Sequence, residues 1–402
     1  MPLILLLDIF ICILFGIIAG IFTGLLPAIH INLIAVIILS VFSSSVFDHI
    51  LLAVFICSMA IAHSFLDFIP SLVFGMPSSD TALSAMPGHR MLKKRRGKEA
   101  IFLSATGGLI AYFLFVLFFL FSLYKIIPFA YSLISEYIAY VLILFVSIII
   151  LLSKNRLNSL FCFILAGIYG MACFNSPVSS NHILLPMLSG LFGFSLLLLS
   201  ISQKAKIPKQ KKTLPLFSKL KLIKSSFVGL IAGILAGFLP GFGSSQSGFL
   251  AEKAFKQENS KYFISTLGAI NTIDLIMSIM SIYLISRARS GSAIAIEKLV
   301  GMIEYSHVIL FIGVGAISAA ISFFLTIKIG DFALKYVSRI NYTLFNISLL
   351  VFASSLILYF TGVYGLFTCF VGTALGIYTK LSNVRLSILM GCLIIPVILA
   401  GL

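Results

Sequence analysis

Apolar residues fill this chain in long, nearly uncharged blocks, and the breaks between blocks are short and rich in glycine, proline or small polar residues. A helix needs roughly 20 apolar residues to cross a hydrocarbon core of about 30 Å, so each long block predicts a crossing. The blocks lie at 3–23, 28–43, 50–75, 100–124, 127–152, 157–174, 183–202, 226–239, 243–256, 263–286, 305–328, 341–361, 363–379 and 385–401. Several are short. The pattern predicts an all-α polytopic integral membrane protein with about a dozen transmembrane or broken helices, multi-pass in the cell membrane.

The pattern is written twice. Residues 16–27 read GIIAGIFTGLLP and residues 229–240 read GLIAGILAGFLP. Eight of the twelve positions are identical, and Gly16/Gly229, Gly20/Gly233, Gly24/Gly237 and Pro27/Pro240 each lie 213 positions apart. A repeat at about half the chain length predicts two related transmembrane halves, 1–203 and 225–402, joined by a basic cytoplasmic linker over 204–224. Gly/Pro-interrupted helices at matching places in two halves are the sequence mark of a secondary transporter, and they point to its binding site.

Composition agrees with this class. The chain is 60% hydrophobic, has a mean hydropathy of +1.16 and is only 10% charged, against roughly 25% charged in an average soluble domain. The net charge of +16 raises the question of a nucleic-acid partner, and its distribution answers it. Arg90, Lys93, Lys94, Arg95, Arg96 and Lys98 form one acid-poor block, and Lys204, Lys206, Lys209, Lys211, Lys212, Lys219, Lys221 and Lys224 form another. These are 14 of the 28 bases, leaving 14 bases against 12 acids elsewhere. The excess belongs to two loops, so no nucleic acid is expected. Positive loops stay cytoplasmic, where they also meet anionic membrane lipids.

Counting crossings from those loops puts the N-terminus outside and starts the second half inside, so the halves are expected to be inverted-topology repeats. The basic GHRMLKKRRGKEA at 88–100 against the slightly acidic EKLVGMIEYSH at 297–307 fits that inversion. Arg287 and Arg289 run against it unless they line an aqueous path. The six cysteines lie in apolar segments without metal-type spacing and read as packing residues. The first segment has no basic leader or cleavage site and reads as a retained span.

Three constellations carry the candidate chemistry. The first is the turn after each repeat, GLLPAIHIN at 24–32 and GFLPGFGSSQSG at 237–248. The repeat glycines themselves read as a helix-packing stripe. Proline and clustered glycines free backbone groups that lipid cannot satisfy, so this backbone must face protein or a cavity. A helix starting near Ser244 would offer free N–H groups and a positive dipole end to an anion. Pro27, Asn32, Pro240, Gly241, Gly243, Ser244, Ser245 and Gln246 are the substrate-binding candidates here.

The second constellation sets HSFLDFIPSL at 63–72 against INTIDLIMSI at 270–279, aligning Asp67 with Asp274 and Ser71 with Ser278 at an offset of 207. A carboxylate in an apolar span is costly unless it meets water, a cation or a donor. Asp67, Asn271, Thr272 and Asp274 are therefore the ion-coupling candidates, with oxygens suited to a proton or Na⁺. Helix capping or a structural hydrogen bond is the plainer role for either aspartate, and His63 reads as a polar packing residue.

The third is FGMPSSDTALSAMPGHRM at 74–91, matched loosely by SRARSGSAIAIEKLVGM at 286–302. Ser78, Ser79 and Asp80 suit a helix cap, yet Pro77 and Pro87 bracket a short segment as a re-entrant half-helix would. Pro77, Ser78, Ser79 and Asp80, with Ser290, Gly291 and Ser292 as counterparts, complete the substrate-binding candidates. The chain has no HExxH, phosphate loop or GxSxG elbow, so no enzyme is expected. No cofactor is expected beyond a coupling ion.

At these residues the chain resembles the large membrane subunit of the tripartite tricarboxylate transporters, the TctA family. The carriers of the resemblance are GLLPAIH, GFLPGFG and PSLVFGMPSSDTALSAMPGHRMLKKRRGKEA, the last over 70–100. Ala28 and His30 stand where the family usually has glycines. The resemblance implies a permease for a small carboxylate, such as a di- or tricarboxylate, driven by an ion gradient. It further implies a small membrane subunit and an extracytoplasmic binding protein as partners. A permease for another organic anion, or a channel or lipid-binding membrane scaffold, stays open on the residues alone. Saturable, gradient-dependent uptake by reconstituted protein is the expected outcome that separates a carrier from the last two.

Overall fold

Length separates the helices of this chain into two kinds. A computed structural model describes residues 3–26, 31–42, 48–74, 81, 85–203, 208–211, 217–254, 261–336 and 341–401, and every regular element within them is helical. The first half holds α1 (Leu3–Leu25), α2 (Ile31–Phe42), α3 (His49–Leu66), α4 (Ala85–Lys93), α5 (Gly97–Phe118), α6 (Tyr124–Ile134), α7 (Ile138–Leu151), α8 (Arg156–Phe174), α9 (Ser180–Leu188) and α10 (Ser195–Gln203). The second holds α11 (Lys219–Phe238), α12 (Ser244–Ala254), α13 (Tyr262–Ile285), α14 (Gly291–Val300), α15 (Tyr305–Tyr336), α16 (Tyr342–Leu381) and α17 (Gly391–Gly401). Nine stretches among the described residues are long and apolar enough to cross a membrane. By contrast α2, α4, α12 and α14 have 12, 9, 11 and 10 residues. At about 1.5 Å per residue none of these four covers a core of about 30 Å.

Two of the nine stretches are too long for one crossing. Gly97–Leu151 has 55 residues and Thr343–Leu381 has 39, or roughly 80 and 60 Å of helix. The second breaks where the sequence expects it, at Gly362, whose φ of 64° and ψ of −163° leave the helical region. The first does not break at 125–126. Its helical run passes through a π-turn at Phe119–Leu123 and loses regularity only at the 3-10 turn Ser135–Tyr137. Pro128 lies inside α6, five residues after that π-turn ends.

The duplicated glycines set the core of each half. Along α1, Gly16, Gly20 and Gly24 lie against Ser58, Ala62 and Leu66 of α3, close enough that a methyl group at Gly20 would stand 2.5 Å from Ala62 Cβ. Along α11, Gly229, Gly233 and Gly237 lie against Ala269, Ile273 and Met277 of α13. Each second-half partner sits 211 positions after its first-half counterpart, so both pairs run parallel and in one register. That register corrects the offset of 207 drawn from the aspartates. Asp274 falls opposite His63, and Asp67 opposite Ser278. A shift of four residues is about one helical turn and leaves the same face inward, so the apolar pattern does not distinguish the two alignments.

The halves meet where α5 crosses α13. A methyl group at Gly107 would stand 2.1 Å from the Ser265 carbonyl oxygen, and one at Gly268 would stand 2.1 Å from that of Ser104. Tyr112 donates to the Ile312 carbonyl oxygen at 2.9 Å and ties α5 to α15 as well.

The first basic segment and the described residues 208–211 of the second come together on one face. Gln210 donates to the Leu92 carbonyl oxygen and accepts from the Gly97 amide, each at 3.0 Å, and the Lys211 amide donates to the Arg95 carbonyl oxygen at 3.3 Å. Glu99 holds both Arg96 at 2.6 Å and Lys261 at 2.9 Å, and Lys98 pairs with Asp331 at 2.7 Å. The starts of α5, α11 and α13 and the end of α15 therefore share this face. The expected linker over 204–224 is partly helical, since α11 begins at Lys219.

Gly107→Ala should lower the melting temperature in detergent, because the added methyl meets backbone at the crossing and overpacking costs about 1–3 kcal/mol. Gly313→Ala, with nothing within 4 Å, should leave it unchanged or raise it. Equal effects would remove the crossing as a fixed point.

Candidate functional site

The polar centre of the second half is the turn between α11 and α12. Leu239 leaves the helix in an extended conformation, Pro240 follows, and Gly241 takes a φ of 69° that favours glycine. Gln246 then folds back: its Oε1 accepts from the Gly243 amide at 3.1 Å, and its Nε2 donates to the Ser387 carbonyl oxygen at 3.2 Å. This is half of a capping box, and it closes one of the free amides at the start of α12. Ser244 donates from Oγ to Asp274 Oδ2 at 2.6 Å. The carboxylate of α13 thus sits at the positive end of α12. Ser244, Ser245, Gln246 and Ser247 are all buried in the protein. Ser247 Oγ and Ser387 Oγ are buried without a hydrogen-bond partner among the described residues.

A second polar cluster joins the halves. Asn271 of α13 donates from Nδ2 to both carboxylate oxygens of Asp67, each at 3.1 Å, and to the Ser64 carbonyl oxygen at 3.0 Å. Three oxygen acceptors fix which end of the amide faces them. His63, one turn before Asp67, places Nε2 4.0 Å from Asp67 Oδ2, while its Nδ1 meets Thr23 Oγ1 of α1 at 3.1 Å. Ser64 Oγ donates to Thr272 Oγ1 at 3.4 Å. Asp67, at 5% exposure, meets Asn271 of α13 and His63 of α3, and Thr23 of α1 meets His63 in turn.

The structure thus pairs the four ion-coupling candidates with polar neighbours: Asp67 with Asn271, Thr272 with Ser64, and Asp274 with Ser244. Pro240, Gly241, Gly243, Ser244, Ser245 and Gln246 occupy one turn. Ser290 caps α14, its Oγ accepting from the Ala293 amide at 3.2 Å and meeting Ser292 Oγ at 3.0 Å, next to Gly291. Asn32 lies in α2. Pro27, Pro77, Ser78, Ser79 and Asp80 lie outside the described residues. Sequence reasoning missed Thr23, Ser64, Ser247 and Ser387, and gave His63 only a packing role. A lone hydroxyl in an apolar span is too common to stand out.

Long apolar crossings, interrupted helices, the buried carboxylate of Asp67 and the half-buried one of Asp274 are the features of a polytopic membrane transporter. The chain belongs to the tripartite tricarboxylate transporter TctA family, whose profile matches residues 10–391. It is a multi-pass membrane permease and not an enzyme. Its family is the large subunit of a tripartite tricarboxylate transport system. The chain is also similar to an uncharacterized protein of Methanocaldococcus jannaschii, 30% identical over 391 residues that make up 96% of each chain. No solved structure matches it.

A double-mutant cycle of Asp67→Ala and Asn271→Ala, followed by denaturation in detergent, should give a coupling of about 1–3 kcal/mol, the range for a buried hydrogen bond to a charge. Additive losses would break the pair.

Proposed function

We propose that this permease carries a di- or tricarboxylate by symport with a cation, and that the second-half turn is its substrate site. The observation that carries the reading is the Ser244–Asp274 contact at the start of α12. The helix end and the unpartnered hydroxyls of Ser247 and Ser387 suit a substrate carboxylate. Asp274 already brings a negative charge there, and two carboxylates at such a distance repel strongly where water is scarce. A proton or Na⁺ at Asp274 removes that repulsion, so cation and substrate bind together. Asp67 of the first half and Asn271 and Thr272 of the second form a further cation site between the halves, with His63 beside it. Pro27, Asn32, the 77–80 segment and the Ser290–Ser292 turn complete the substrate path in this reading.

The same reading makes the halves inverted repeats. Leu72, just after α3, packs on Gly88 of α4, which leads to Arg96 and Glu99 on the basic face. Lys261 at the start of α13 lies on that same face. So α3 runs toward the face that α13 leaves, which supports opposite orientations. The family's small membrane subunit and extracytoplasmic binding protein are the expected partners.

Reconstituted protein should accumulate labelled citrate under an inward Na⁺ or proton gradient. Asp274→Asn and Asp67→Asn should each cut that accumulation by at least about tenfold, the equivalent of about 1.4 kcal/mol of cation binding. Unchanged uptake in both variants would remove the aspartates from coupling. Cysteines at the exposed positions Lys94 and Met302 should react with an impermeant reagent from opposite faces, and labelling from one face would sink the inversion.

A further inference from the structure

Arg289 is a partly buried cation with no counter-ion among the described residues. It follows Ser286, whose φ of 51° turns the chain out of α13. Its Nη2 donates to the Tyr131 hydroxyl at 3.3 Å, and its guanidinium carbon stands 5.8 Å from the centre of the Tyr131 ring. Its Nε is buried and makes no hydrogen bond among the described residues. Acids pair with His63, Arg96, Lys98, Lys261 and Arg385, and Arg289 takes part in none of these pairs. Burial lowers its pKa from the usual arginine value, Tyr131 opposes that shift, and Arg287 adds to it. Guanidinium stays charged all the same. A cation withdrawn from water with one neutral acceptor is costly, and an anion at the free Nε would offset that cost.

The surroundings say where such an anion would go. Ser290, Gly291 and Ser292 begin α14 directly after Arg289. Tyr131 in turn meets Phe238, the last residue of α11, edge to face with ring centres 6.4 Å apart. Phe238 leads into the Pro240 turn. From Lys261 on the basic face, α13 runs 24 residues, about 36 Å, so Arg289 lies at the opposite end of the protein from the lysine-rich loops.

We propose that Arg289 is the outward-facing receptor for the substrate, taking one carboxylate through Nε and a neighbouring Nη before the anion passes Phe238 to the Pro240–Gln246 turn. This rests on the carboxylate reading given above. Lysine cannot replace it fully, because a point charge lacks the planar fork that grips both carboxylate oxygens.

The test is the concentration dependence of external citrate uptake by proteoliposomes of wild type, Arg289→Gln, Arg289→Lys and Arg287→Gln. Arg289→Gln should raise KM about tenfold to a hundredfold, the loss expected for a hydrogen bond between charged groups. The maximal rate should change much less, and Arg289→Lys should recover only part of the affinity. Arg287→Gln, at an exposed position, should stay within about twofold. A wild-type KM in both Arg289 variants would overturn the proposal and leave the carboxylate reading intact. If wild type carries no citrate under any gradient, that reading falls, and melting temperature in citrate, succinate or sulfate tests the receptor alone. An anion-dependent rise lost in Arg289→Gln would sustain Arg289 as an anion receptor, and no rise, or an equal rise in both, would overturn it. Arg289→Lys melting like wild type without anion shows that the fold is kept.

Discussion

Inside a bilayer a free backbone amide finds no water, so every helix break in this chain has to be wrapped in protein. The rest of the structure follows from meeting that demand. At the turn after α11, Gln246 reaches back to the Gly243 amide and across to the Ser387 carbonyl, and Gly241 sits against Leu393 and Ile394. Only a segment already buried by intact helices can be treated this way. The tight pairs α1/α3 and α11/α13 supply that shelter, because their glycines let backbones approach without lipid between them. Short helices are then free to end in the interior and expose polar ends to one another.

Charge follows the same logic. A carboxylate in such an interior must be held by donors, and each aspartate takes them from a different element. Asp67 draws on a helix of the other half, through Asn271. Asp274 draws on the broken helix of its own half, through Ser244. The duplicated scaffold therefore carries unlike chemistry at its two centres, with His63 at the position that Asp274 takes in the second copy. The two helix pairs share one frame, and the polar groups set on it differ.

Much of this was legible in the residues. The blocks of apolar sequence and the Gly/Pro breaks foretell an all-helical membrane chain with long and short helices, because bilayer thickness and backbone satisfaction leave few options. The break at 362 was readable from Gly362, and the turn at 240–246 from proline, glycine and serine together. The basic blocks were read as one face, and Gln210 joins them. Other features were hidden for physical reasons. The charge of Lys125 looks like a block boundary at 125–126, yet the helical run continues through it. An alignment on Asp67 and Asp274 is attractive because acids are rare in apolar spans, yet the glycines decide which residues face each other. The role of Thr23, Ser64 and Ser387 depends on contacts between segments far apart in the chain.

The register of the two helix pairs has one more consequence. The glycines of α1 and α11 match at 213 positions apart, and their partners on α3 and α13 match at 211. From Gly24 to Leu66 the chain is thus two residues longer than from Gly237 to Met277, although the contacts at both ends are equivalent. The stretch between the rails differs in length between the two pairs while the rails keep the same fit. Such a part can change length, and with it the shape of what it lines, without unsettling the scaffold. Divergence in what each copy recognises is therefore open to small insertions and deletions there, a freedom that the rigid pairs do not share.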